Sequence, residues 1–210
     1  MSKILYIQAS PREKRSHCIA VADAFLESYR KDHPNDQVTL LNVFTSNLPV
    51  FDGLVVQAKY TILHGQQHSR EELAAWKAVE AVIEGFKSAD KYVFAVPMWN
   101  FGIPYRLKQY IDIIVQPTYT FSFSPAEGYK GLILGKRAFV AYARGGEYPE
   151  GTGAQNFDFQ KPYLECALGF MGITDVRSVV VEPTLGGGPA VAAQKHDAAV
   201  AKAKEMAKSF

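Results

Sequence analysis

Short apolar runs rich in β-branched and aromatic residues alternate along the chain with stretches whose apolar residues recur every three or four positions. That is the order a doubly wound parallel sheet requires. Lys3 to Ala9 reads as the first strand. A helix follows from Ser16, with Cys18, Ala22, Phe25, Leu26 and Tyr29 on one face, Arg30-Lys31 in its last turn and His33-Pro34-Asn35 ending it. Gln37 to Val43 is the second strand, and Phe44 to Ser69 reads as a long irregular excursion of the kind that is usually functional. Glu71 to Lys87 carries Leu73, Trp76, Val79, Ile83 and Phe86 on one helical face and leads to the third core strand, Lys91 to Val96. Leu107 to Val115 is the next helix, and the strict alternation of Thr118 to Ser124 predicts an exposed hairpin strand with Tyr119, Phe121 and Phe123 on one face. Lys136 to Tyr142 and Thr174 to Val181 are the last core strands, separated by a helix over Phe157 to Met171 with Pro162 near its start and Gly172 at its end. Gly186-Gly187-Gly188-Pro189 then breaks the chain before a final helix in which Ala199, Ala203, Met206, Ala207 and Phe210 share a face.

Five core strands interleaved with helices predict a flavodoxin-like α/β fold: a doubly wound five-stranded parallel sheet in the order 2-1-3-4-5, helices on both faces, one domain over residues 1–210. The 210 residues, 48% of them apolar, suffice for one well-buried core and fall short of two. A formal charge of +2, with no long Lys or Arg run, lacks the electrostatic footprint for nucleic acid or an anionic membrane and favours small-molecule partners. The two cysteines, Cys18 and Cys166, form no CxxC pair, which argues against a disulfide scaffold and a structural zinc site. The first apolar stretch is too short for a signal-peptide core, and no run approaches membrane-spanning length, so a cytoplasmic protein is expected.

Candidate chemistry gathers after three of the strands. Pro97-Met98-Trp99-Asn100-Phe101 stands at the carboxyl end of a buried strand, where open α/β sheets bind ligands, and offers a rigid aromatic and hydrogen-bonding edge suited to a planar heterocycle. An ordinary strand-to-helix corner with a core aromatic is the plainer alternative. Ser10 to Cys18 leads into a helix N-terminus whose free N–H groups favour a phosphate, with the Ser10 and Ser16 hydroxyls as further donors. Alternatively, Ser16 merely caps the helix. Gly145-Gly146 either lets backbone N–H groups approach a ring edge or marks only a turn. The expected strand order sets these three loops side by side, and together they suggest a flavin site.

On these residues the chain resembles the FMN-dependent NADH:quinone oxidoreductases, also called azoreductases. The likeness runs through Met1-Ser2-Lys3-Ile4-Leu5, Pro97 to Phe101, Leu107 to Asp112, Thr120-Phe121 with Gly131-Leu132 and Gly135-Lys136, Arg144-Gly145-Gly146, and Leu168 to Ile173. The resemblance implies that Ser10, Ser16, His17 and Cys18 hold the FMN phosphate. It gives Pro97, Met98, Trp99, Asn100 and Phe101 the ribityl chain and ring, and Tyr142, Ala143, Arg144, Gly145 and Gly146 the pyrimidine edge. It also implies NADH or NADPH as donor, a ping-pong cycle in which the flavin N5 is the reactive centre, quinone, azo or nitro acceptors, and a homodimer with its sites at the interface. Phe121, with Tyr119 or Phe123, would close over the ring, although simple hairpin packing explains the same stripe. Cys18 and Ala143 stand where the pattern commonly has serines, Trp99 where it often has Tyr, and Gly102-Ile103-Pro104 replaces a more polar run.

Other candidates carry less. His64 and His68 have an i, i+4 spacing but no third ligand, and a solvated loop is the favoured reading, so no metal is expected. Cys18, at a helix N-terminus, is a candidate for a lowered pKa. Gly186 to Gly188 reads as a flexible turn away from the site, and Cys166 as a core residue. A flavodoxin-type electron carrier and a flavin-free binding module are the rival functions.

Overall fold

The computed structural model describes residues 1–210. In chain order the elements are β1 (Lys3–Gln8), α1 (His17–Asp32), β2 (Gln37–Asn42), α2 (Gly53–Leu63), α3 (Arg70–Lys87), β3 (Lys91–Pro97) and α4 (Tyr105–Ile114). They continue as β4 (Phe121–Ser124), β5 (Gly128–Gly131), β6 (Arg137–Ala143), α5 (Lys161–Phe170), β7 (Asp175–Val181) and α6 (Gly188–Ala207). Five strands form one sheet in the order β2-β1-β3-β6-β7, every neighbouring pair parallel. The register sets Pro97 opposite Ala143 and Ala143 opposite Val181, so the carboxyl ends of these strands form one rim.

Alternate strand residues face opposite sides of a sheet, and here each side has its own apolar cluster. Leu5 and Ile7 join Phe94, Val140, Trp76, Ile83, Leu107 and Leu164 beneath α3, α4 and α5. Ile4 and Tyr6 join Val93, Phe139, Phe25, Ala199 and Ala203 beneath α1 and α6. Phe25 stacks flat on Phe139 at 3.8 Å between ring centroids, tying α1 to the sheet's middle. Burying each such side chain contributes about 1.5–3 kcal/mol.

The segment 44–69, expected to be irregular, contains α2. Asp52 starts it, its Oδ1 accepting from the N–H groups of Leu54 (3.0 Å) and Val55 (3.2 Å). Only Val55, Ala58 and Thr61 of this helix are buried, while Leu54, Tyr60 and Leu63 face outward, so it lacks the single apolar stripe that reveals a helix in sequence. α5 is shorter than expected and begins at Lys161, after a 3-10 turn over Ala154–Phe157; Asp158 Oδ1 accepts from the N–H groups of Gln160 and Lys161 and fixes that start. Cys166, on this helix, is exposed and not in the core.

The alternating segment does form a hairpin, β4 with β5, but Tyr119 lies outside it. The Tyr119 hydroxyl donates to Glu80 and accepts from Trp76 Nε1, which turns the ring onto α3 and away from the face of Phe121 and Phe123. The hairpin rests on the end of α5 with no room to spare. A Cβ added to Gly131 would lie 2.3 Å from the Gly172 backbone nitrogen, and Ile133 N–H donates to Met171 C=O at 2.8 Å. Gly172 itself has φ +102 and ends α5 in a left-handed conformation.

Candidate functional site

Three loops converge on one cleft at the rim, as their strand positions require, and a fourth joins them. From the first, Ser10, Arg12, Ser16 and His17 line the cleft; from the second, Pro97, Met98 and Trp99; from the third, Ala143, Arg144 and Gly145. Thr184 and Leu185 complete it.

At the first loop, the earliest N–H of α1 with a backbone acceptor is that of Ala20, bonded to Ser16 C=O at 3.0 Å, so those of His17, Cys18 and Ile19 have none. Ser16 does not cap the helix, and its hydroxyl lies 3.1 Å from the Cys18 sulfur. Ser10 and Ser16 are both buried. Such buried hydroxyls beside N–H groups free of backbone acceptors suit an anion. Cys18 sits behind Ser16, and burial pushes its thiol up to about 11, the opposite of the lowered value its helix position suggests. His17 has its Nδ1 3.3 Å from His196 Nδ1 on α6, and burial, then His196 and Arg12, lower its pKa.

The second loop is a tight turn. Trp99 and Gly102 exchange N–H···O=C bonds of 2.9 and 3.0 Å, and the two residues between them, Asn100 (φ 46) and Phe101 (φ 72), both adopt left-handed backbone. Two-residue hairpins demand that conformation, which costs a side-chain-bearing residue about 1–2 kcal/mol. Neighbours hold it in place: Phe101 C=O accepts from Phe159 N–H at 2.9 Å, and its ring meets Phe157 with centroids 5.5 Å apart. The Trp99 indole gathers with Phe44 and Tyr105 at the cleft's outer edge.

In the third loop the N–H groups of Gly145 and Gly146 have no acceptor within the chain. Arg144 is buried, and its guanidinium turns inward. Nη2 donates to Asp158 at 2.6 Å, Nη1 to Glu182 at 3.3 Å and Nε to Gln160 Oε1 at 2.9 Å. Gln160 Nε2 in turn donates to Val96 C=O at 3.0 Å, so one buried network joins the ends of β3, β6 and β7. The segment leading to α6 does not run away from the site. Thr184 N–H donates to Arg144 C=O, and Leu185 and Gly186 N–H donate to Gly145 C=O, which lays this segment along the third loop.

Nine of the fourteen residues expected to hold a cofactor line this cleft: Ser10, Ser16, His17, Pro97, Met98, Trp99, Ala143, Arg144 and Gly145. Cys18 lies behind it, Asn100 and Phe101 form the turn beyond it, and Gly146 follows Gly145 with an open N–H. Tyr142 is buried within the sheet, its hydroxyl without a partner. None of Tyr119, Phe121 and Phe123 lines the cleft of its own chain; Phe121 meets Phe170, and Phe123 meets Tyr129 and is exposed. His64 and His68 share nothing: His64 stacks on Tyr60, and His68 Nε2 pairs with Ala58 C=O. Thr184, Leu185 and the network residues Asp158, Gln160 and Glu182 were not singled out in sequence. Only Asp158 carried a signal, as a helix-starting acid ahead of Lys161-Pro162.

Comparison with known proteins gives a consistent picture. A sequence model of a family described by its flavodoxin-like fold matches residues 2–207. A protein of Nitratidesulfovibrio vulgaris strain Hildenborough named FMN-dependent NADH:quinone oxidoreductase is 54% identical over 210 residues, covering 100% of both chains. One of the same name from Desulfotalea psychrophila is 46% identical over 88% of this chain and 87% of its own. Among solved structures, an azoreductase from Bacillus anthracis str. Sterne is similar with a TM-score of 0.91 and 32% identity over 100% of both chains. An FMN-dependent NADH-azoreductase from Bacillus anthracis str. Ames Ancestor, in complex with FMN, is similar with a TM-score of 0.88 and 31% identity over 100% of this chain and 99% of that one.

Proposed function

We propose, because this chain belongs to the flavodoxin-like family of FMN-dependent NADH:quinone oxidoreductases, that its rim cleft holds FMN with the phosphate at the first loop and the ring between Trp99 and Gly145. The protein is an oxidoreductase that uses FMN and NADH. The observation that carries the placement is the N–H groups without a backbone acceptor toward each end of one cleft: those of His17, Cys18 and Ile19 at one end, those of Gly145 and Gly146 at the other. The first set suits a phosphate at a helix N-terminus. The second suits the electron-rich pyrimidine edge, whose negative charge grows on reduction and is stabilised by fixed dipoles. Hydride acceptance from NADH and return of two electrons to an acceptor are the chemistry that bound FMN supplies. The chain's part is to orient and to exclude water, so no side-chain acid or base is assigned to the hydride step.

Donor and acceptor use the cleft in turn, in a ping-pong cycle, with quinones and aromatic azo compounds as acceptors and nitroaromatics as a further class. The working form is a homodimer, in which the β4–β5 hairpin of a second copy brings Phe121 and Phe123 over the cleft. Supporting this are the exposed Leu54, Tyr60 and Leu63 of α2, the exposed Trp99 and Tyr105 beside the cleft, and a lid hairpin that does not reach the cleft of its own chain. No helix is long and apolar enough to cross a membrane. The cytoplasm, which supplies NADH, is the proposed place of work.

Absorbance of the purified protein in the flavin bands, followed by steady-state NADH oxidation with menadione, tests the reading. A flavin-loaded protein with robust turnover supports it, whereas negligible turnover indicates an electron carrier and failure to take up added FMN a flavin-free module. Two substitutions refine the placement. Ser16→Ala should weaken FMN binding about fivefold, the loss of one neutral hydrogen bond, with unchanged urea stability because no cap is lost. Fluorescence titration of apoprotein measures this. Phe121→Ala should shift the ratio of quinone to azo turnover while leaving FMN affinity as it was, and equal kinetics across acceptors would remove it from the lid.

A further inference from the structure

His17 and His196 meet where α1 packs against α6. One histidine is the first residue of α1, in the phosphate-binding turn; the other lies on α6, far along the chain, and their Nδ1 atoms are 3.3 Å apart with the rings edge-on. Two imidazoles at this distance hold one proton between them when the pair is neutral on one side, because one Nδ1 must donate and the other accept. A first added proton goes to Nε2 of the donating ring, which keeps the Nδ1 hydrogen bond and adds one charge; a second would set two donors face to face. The surroundings make that charge costly. Arg12, Lys14 and Arg15 come from the turn ahead of α1, with Glu13 among them; Asp197 of α6 lines the same hollow, and the buried Cys18 thiol is neutral. Burial, then His196 and Arg12, lower the His17 pKa.

A phosphate dianion at the N-terminus of α1 reverses the balance. Bound there it would face His17, which lines both the rim cleft and the neighbouring cationic hollow that His196 shares. We propose that His17 and His196 act as one proton-binding unit, so that the protein takes up a proton as it binds the phosphate monoester of its cofactor. The inference rests on the placement of FMN given above. His196 is then a positioning residue, holding the His17 ring in the tautomer and direction that face the phosphate and bracing α6 against the turn. By linkage, a group that binds its proton more tightly in the complex makes affinity rise as pH falls through its titration range. Interacting imidazoles titrate as a pair, in two separated steps.

Titration of apoprotein by quenching of FMN fluorescence, with riboflavin as the phosphate-free control, reads the effect. FMN affinity should increase roughly tenfold from about pH 8 to about pH 6, the change expected for a one-unit shift of one group, while riboflavin affinity stays flat. His196→Gln, which keeps a polar contact but does not titrate, and His196→Ala should each flatten the FMN profile. A parallel slope for wild type and His196→Gln would overturn the proposal and leave the FMN placement standing. Should the protein bind no FMN at any pH, that placement fails, and the imidazole resonances decide the pair separately. With inorganic phosphate added, both should titrate together and at higher pH than without it. Independent titrations, unmoved by phosphate and by the His196→Gln change, would sink the pair.

Discussion

Replacing Arg144 by methionine should lower the stability of the protein by about 4 kcal/mol, the scale seen when one partner of a buried ion pair is removed and the other left uncompensated. The guanidinium is only 3% exposed and satisfies Asp158, Glu182 and Gln160 together. Methionine fills similar volume but leaves Asp158 charged in a poorly hydrated place. For a chain of this length the midpoint of thermal unfolding should fall by roughly 10 °C. FMN affinity should fall with it, at least tenfold, because the network holds the Gly145 and Gly146 N–H groups in line. Scanning calorimetry and fluorescence titration check the two effects, and adding Asp158→Asn to Arg144→Met should recover part of the stability, since the residues interact. Full additivity would mean that the pair is not the source of the loss.

Gly131→Ala is the second large effect. Its Cβ would meet the backbone of Met171 and Gly172 at 2.3 to 2.5 Å, and no flexible side-chain tip is there to yield. Either the hairpin lifts or the end of α5 moves, at a cost of about 3 kcal/mol. Function should change in a particular way. Gly131 touches none of the cleft-lining loops, but it seats the hairpin that carries Phe121 and Phe123. FMN affinity of the folded variant should therefore remain close to that of wild type, while KM for quinones rises. A loss of FMN with unchanged KM would contradict the assignment of the hairpin to the acceptor side.

Much of the architecture is written locally. The runs Lys3 to Gln8, Lys91 to Pro97 and Arg137 to Ala143 are nearly continuous apolar stretches, which only strands buried on both faces sustain, and all three lie inside the sheet. α3 declares itself by a periodic face, while the Ser69–Glu72 capping box that starts it lies at the end of the stretch read as irregular. α2 does not, because its apolar residues point both inward and outward. Tyr119 misled for a related reason: alternation predicts a face only while the chain remains extended, and Tyr119, held on α3 by two hydrogen bonds, lies ahead of the strand, which begins at Phe121.

The site divides in the same way. Loops at the ends of parallel strands are placed by topology, so Ser10, Trp99 and Gly145 meet as their strand order requires. What braces them is tertiary. Leu185 reaches the cleft only because backbone N–H groups of its loop find Gly145 C=O, and Arg144 faces inward only because Asp158, Gln160 and Glu182 await it. Cys18 shows the limit of local electrostatics: a helix N-terminus favours the thiolate, yet complete burial outweighs it.

The turn between Trp99 and Gly102 has a kinetic corollary. A loop clamped at both ends by reciprocal hydrogen bonds, with its two middle residues confined to a narrow conformational well, has little freedom left to lose when a flat molecule lands on it. Cofactor capture should accordingly run near the speed of encounter, with no slow isomerisation after it. The lifetime of the complex, rather than its rate of formation, would then set how long each enzyme molecule stays loaded.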